Sequence, residues 1–199
     1  MFIWAASLAL VVGAAVALVP LQHGGVAGAS TSGSAGVTST RAARLASLIV
    51  KRSTPTHLSI PAIGVSVKLT ELGLNKGGSP QVPSSWYVPG WYKFGPAPGQ
   101  LGSAVILGHV DSVAGPAVFY RLDDLKVGNR VIVKLRDGKT VYFSVIGLRA
   151  YLKAKFPDKF VYGSRPYGAL QLVTCGGAFD SQTGHYLSSI VVFTRQVKA

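Results

Sequence analysis

From residue 56 to residue 194, short β-branched or apolar segments recur, and most are bounded by Gly or Pro. Residues 56–60 (THLSI) stop at Pro61, 65–69 (VSVKL) follow Gly64, and 103–108 (SAVILG) is a continuous apolar run of the kind buried on both faces. Residues 131–135 and 140–146 flank Arg136-Asp137-Gly138-Lys139. Asp-Gly between two strand patterns signals a hairpin, because type I′ turns need positive φ. Residues 169–175 (ALQLVTC) and 189–194 (SIVVFT) complete the set, and helical turns fit only 117–125 and 155–162. Many short strands with long Gly/Pro connections imply a mainly-β, closed or nearly closed barrel. The 24 Gly and 11 Pro show no G-x-y period, which excludes a collagen, and 48% hydrophobic residues exclude disorder for the bulk of the chain.

The N-terminal quarter has a different composition. No Lys, Arg, Asp or Glu occurs before Arg41, and residues 2–21 are almost unbroken Ala, Val, Leu and Ile. Such a run is about 30 Å long as a helix, enough to cross a bilayer core. Residues 1–21 therefore read as a transmembrane anchor, with a signal segment as the alternative because Ala15-Val16-Ala17 fits a small-residue cleavage site. Residues 22–54 read as a flexible Gly/Ala/Ser/Thr linker with a basic patch at Arg41, Arg44, Lys51 and Arg52. The folded domain is expected over 55–199. The expected location is a single-pass protein of the cell membrane with that domain outside.

The chain has one cysteine, so neither an intramolecular disulfide nor a multi-Cys metal site can form. Cys175 ends an apolar strand pattern and precedes Gly176-Gly177, whose lack of side chains lets a substrate backbone approach. His109 ends another such pattern, in Leu107-Gly108-His109-Val110-Asp111-Ser112. Two strand ends from distant segments can meet at one barrel rim, and a Cys–His pair needs that meeting. The thiolate is the nucleophile, an imidazolium beside it favours that form, and the ring can then protonate a leaving amine. His23 falls in the linker, His57 at a strand start, and His185 ten residues past the thiol. Residues 86–99 (WYVPGWYKFGPAPG) form either a groove wall or lid, or an ordered loop plugging one end of the barrel.

Leu172-Val173-Thr174-Cys175, with His109 upstream, resembles the sortase pattern in which a T-L-x-T-C strand presents the nucleophile. The segments Gly108-His109-Val110-Asp111-Ser112, Gly115-Pro116-Ala117-Val118-Phe119 and Thr174-Cys175-Gly176-Gly177-Ala178-Phe179-Asp180 resemble class F (class E/F-like) sortases of actinobacteria. So do residues 57–65 and Trp91-Tyr92. The resemblance implies an eight-stranded sortase-like β-barrel and cysteine transpeptidation at the cell envelope. Cys175 is then the nucleophile that forms a thioacyl intermediate with an LPXTG-like sorting signal, and His109 the acid/base. Thr174 and Gly176 are expected at the substrate. The implied partners are surface proteins bearing a C-terminal sorting signal, an amine acceptor (a peptidoglycan precursor or a pilin lysine) and the membrane.

The family also places an arginine shortly after the cysteine. Here none occurs between Gly176 and Thr194. Arg195 is the first after the cysteine, and Arg121, in the loop after His109, is the alternative at the substrate. A cysteine hydrolase with Asp111 orienting His109 is a rival function, and an inactive sortase-like binding module is another. From residue 54 onward 16 basic and 7 acidic residues leave +9, which suits anionic envelope polymers. No nucleic-acid motif accompanies the charge. No cofactor is expected, and Asp123-Asp124, the only adjacent acidic pair, is too few oxygens for calcium.

Overall fold

A computed structural model describes residues 51–199. The expected anchor at 1–21 and linker residues 22–50 lie outside the described residues.

Strand β1 (Pro55–Ile60) turns through a 3-10 segment, Pro61–Ile63, into the antiparallel β2 (Val65–Lys68). Pro61 presets the first turn, and Gly64 ends it at φ 73°, its N–H returning to the Pro61 carbonyl. β3 (Thr70–Leu72) follows at once but has a different neighbour. The Leu69 N–H still donates to Thr56 O at 3.0 Å, whereas the Thr70 N–H donates to Pro89 O at 3.1 Å. The chain thus leaves β1 and joins β4 (Gly90–Tyr92), to which β3 runs parallel.

The remaining strands are β5 (Gly102–Leu107), the small hairpin β6 (Asp111–Ser112) and β7 (Gly115–Pro116), β8 (Arg130–Leu135), β9 (Thr140–Leu152), β10 (Gly168–Asp180) and β11 (His185–Val197). The main sheet runs β2-β1-β8-β9-β11-β10-β5-β4-β3. Its two edge strands are consecutive in sequence, so the sheet curls into a nearly closed barrel. The expected eight strands become nine in this sheet, because the change of partner at Leu69 splits one ribbon in two.

Inside the barrel, Leu58, Ile60, Ile106, Phe143, Leu170 and Leu172 are fully buried. A second cluster, Val105, Val173, Val191 and Phe193, lies on the outer face of β5, β10 and β11. It packs with Val161 of the only α-helix among the described residues, α1 (Asp158–Tyr162). Alternate residues of β10 therefore serve different cores, as the period of two requires.

Several boundaries differ from the sequence reading. β9 runs past Ile146 to Leu152, β10 runs past Cys175 to Asp180, and β11 starts at His185 rather than Ser189. The added lengths of β10 and β11 are Gly-rich or polar and show no apolar pattern, whereas that of β9 packs Leu148 and Tyr151 against the two clusters. Only Leu122–Asp124 of the turn expected at 117–125 is helical, as a 3-10 turn. The aromatic stretch 86–99 contains β4, and Trp91 is buried with its indole N–H donating to Pro96 O at 3.1 Å.

Candidate active site

β5 and β10 are parallel, in a register from Gly168↔Gly102 to Val173↔Leu107. The ladder extends one step further, since the Gly108 N–H donates to Val173 O at 3.1 Å. Cys175 and His109 thus each follow the last parallel pair by two residues. Both are half-buried. By alternation Cys175 shares the face of Val173, outside the barrel, where α1 and the segment before it form one wall.

The same row continues across the sheet: Cys175 is opposite Ser189 on β11, and Ser189 is opposite Tyr151 on β9. Gly176 faces Ser188. Serines therefore occupy the strand positions beside the thiol.

Gly108 has a local reason to be glycine, because a Cβ there would lie 2.5 Å from the Phe119 ring. The Phe119 N–H donates to His109 O at 2.9 Å, which folds the loop after His109 back onto the strand end. The imidazole Nε2 lies 2.7 Å from Pro83 O, and the Trp86 ring packs against it with centroids 4.3 Å apart. Asp111 serves another partner. Its carboxylate accepts a hydrogen bond from the Tyr186 hydroxyl. That bond raises the Tyr186 phenol above its ordinary value, because ionisation would lose the donor and set a second negative charge beside Asp111. The hydrolase reading needed Asp111 on the His109 ring; a backbone carbonyl accepts from Nε2 instead.

A cleft of about 450 Å³ opens beside the two glycines, lined by Gly176, Gly177, Tyr186, Arg121, Asp123 and Asp124 among others. It lies on the Ile190 side of β10, the face opposite Cys175. Arg121 reaches it and pairs with Asp124 at 2.8 Å. Gly176 borders this cleft, whereas Thr174 is only 4% exposed, so its side chain is closed to a substrate.

Arg195 requires a correction. It is opposite Ala169, and its guanidinium stacks on Tyr167 at 4.1 Å. Six strand positions separate Ala169 from Cys175, or about 20 Å. Arg195 belongs to the other end of the ribbon. Among strand arginines on the Cys175 face, Arg149 is closer by register, opposite Val191. Sequence reasoning also missed Tyr186 and Pro83. Pairing β10 with β11 back from their turn would have brought Tyr186 opposite Phe179, but nothing local marks Pro83.

A model of the sortase domain matches residues 58–197. The chain belongs to the sortase family. Sortases are cysteine transpeptidases, and both Cys175 and His109 fall within the matched residues. Solved sortases share the fold at low identity. Sortase A from Corynebacterium diphtheriae, in a lid mutant, is 18% identical with a TM-score of 0.58, covering 85% of this chain and 83% of that one. Sortase C1 from Streptococcus agalactiae is 20% identical with a TM-score of 0.57, covering 72% and 67%. Sortase C from Streptococcus pneumoniae is 16% identical with a TM-score of 0.55, covering 76% and 70%. No curated protein matches.

Proposed function

We propose that this sortase is a class F (class E/F-like) enzyme that joins proteins to an envelope amine. The equal offset of Cys175 and His109, two residues beyond the last parallel pair of β5 and β10, carries this reading. The Cys175 thiolate attacks the Thr–Gly carbonyl of an LPXTG-like sorting signal. His109 gives its proton to the departing glycine amine, which leaves a thioacyl enzyme. The incoming amine, from a peptidoglycan precursor or a pilin lysine, loses a proton to His109 and displaces the thiol. The backbone amides of Gly176 and Gly177 are the oxyanion donors nearest in sequence, and Arg121 lines the same cleft as these glycines. An anchor at residues 1–21 holds the domain outside the cell membrane.

Mass spectrometry of the chain with a panel of sorting peptides tests the reading. A thioacyl adduct on Cys175, discharged by added amine, is expected. Cys175→Ala forms none while keeping its unfolding midpoint, since there is no second thiol. The lack of an arginine between Gly176 and Thr194 favours one other reading, a sortase-like module that binds sorting signals without cleaving them. Peptide binding with no adduct across the whole panel would establish that module instead.

A further inference from the structure

The long connection between β3 and β4 reaches the His109 ring. Pro83 is buried, and its carbonyl is 2.7 Å from Nε2. Trp86, three residues on, lies against the ring at 4.3 Å with the planes tilted by 56°. Both partners hang from adjacent residues: the Val118 N–H donates to Trp86 O at 3.1 Å, and the Phe119 N–H donates to His109 O at 2.9 Å. Strap and histidine are therefore held in one frame.

A carbonyl oxygen can only accept, so this contact requires the hydrogen on Nε2. In the neutral ring the lone pair is then on Nδ1. Asp111, the carboxylate nearest in sequence, accepts from the Tyr186 hydroxyl at Oδ2. We propose that residues Pro83 to Trp86 are a positioning element, which fixes His109 as its Nε2–H tautomer and reserves Nδ1 for proton exchange. The role rests on Cys175 and His109 being the catalytic pair.

The proton path is then complete. Nδ1 takes the proton from Sγ, the sulfur bonds to the acyl carbon and the C–N bond breaks. The same proton passes from Nδ1 to the leaving nitrogen, and the Nε2 hydrogen never leaves Pro83 O. Trp86 contributes by blocking rotation of the ring. A flipped imidazole would carry the wrong nitrogen towards the thiol.

Two-bond ¹H–¹⁵N spectra of the reduced chain test the tautomer without turnover. His109 should show the Nε2–H pattern, and Trp86→Ala should show an averaged one. In peptide acylation, Trp86→Ala should lose about 10- to 100-fold in kcat, as expected for a misplaced catalytic group. Its KM should stay within about threefold, and Trp86→Phe should restore most of the rate. Trp86 is 44% exposed, so the unfolding midpoint is the control for a merely structural effect. An Nδ1–H spectrum in the unaltered chain overturns the proposal. So does a Trp86→Ala variant with unchanged tautomer and unchanged kcat. Failure of the catalytic pair itself looks different: no adduct forms on Cys175 whatever the spectrum, and the positioning role falls with it.

Discussion

The two ends of the β10–β11 ribbon are built from the same pair of strands and do different work. Towards Ala169 the ladder is regular, Leu170, Leu172, Val191 and Val192 are fully buried, and the Thr194 hydroxyl donates to Leu170 O at 2.7 Å. Past Cys175 the register shifts between Gly176 and Phe179, Gly177 takes φ 76°, and Phe179 is 57% exposed. One end is packed between two cores. The other leaves the barrel, has glycines where side chains would close the cleft, and holds the proposed nucleophile at its start. Stability and activity should therefore separate along one ribbon.

The sharpest break of that comparison comes at the packed end. Leu172→Ala leaves a cavity between central strands and should cost about 2–5 kcal/mol of stability. Denaturant unfolding measures it, and the variant should still acylate Cys175 at temperatures where it remains folded. Loss of activity in a folded Leu172→Ala chain would mean that the two ends are coupled.

At the open end, Gly177→Ala is expected to act in the opposite sense. Its φ is left-handed, and a Cβ would sit 2.9 Å from Ser188 Oγ. The backbone conformation alone disfavours alanine by about 1–2 kcal/mol. The bulge should shift, and acylation should fall by more than the change in unfolding midpoint explains.

Asp111→Asn sharpens the comparison spectroscopically. The hydrogen bond to Asp111 raises the Tyr186 phenol, so ultraviolet titration should bring this group back towards an ordinary tyrosine in the variant. The raised value also fixes a sign. The pair's contribution to stability is complete below about pH 10, where an unfolded tyrosine titrates, and is lost as pH rises through the folded value. An unchanged titration curve in Asp111→Asn would remove Asp111 as the cause.

The smallest effect is expected for Arg195→Ala. The side chain lies on Tyr167 at the packed end, so acylation should stay within about twofold, the scale of an about 0.5 kcal/mol effect. A tenfold loss would contradict the separation of the two ends.

How much of this was legible beforehand depended on what each feature needed. The strands at 56–60, 103–108, 131–135 and 169–175 announce themselves through β-branched runs cut by Gly and Pro, and Asp137-Gly138 marks its hairpin. The extensions of β10 and β11 did not, because such ribbons are held by backbone hydrogen bonds that any sequence can make. β3 and β4 are three residues each, too short to show a period.

The site divides in the same way. A lone thiol and a histidine, each closing an apolar strand, were visible as a pair because strand ends converge on a rim. Their relative height is a matter of parallel register, and register is set by packing on both faces of β10 rather than by either segment. Arg195 looked eligible by distance along the chain, yet antiparallel pairing turns later residues of β11 away from Cys175, back towards Ala169. The partners of His109 and Asp111 were equally hidden. Pro83 O and the Tyr186 hydroxyl come from 26 residues before His109 and 75 residues after Asp111. Local sequence thus determined which groups could do chemistry and which segments were strands. Tertiary structure decided which groups meet, because hydrogen bonds and ring contacts across the barrel depend on closure of the sheet, which no single segment encodes.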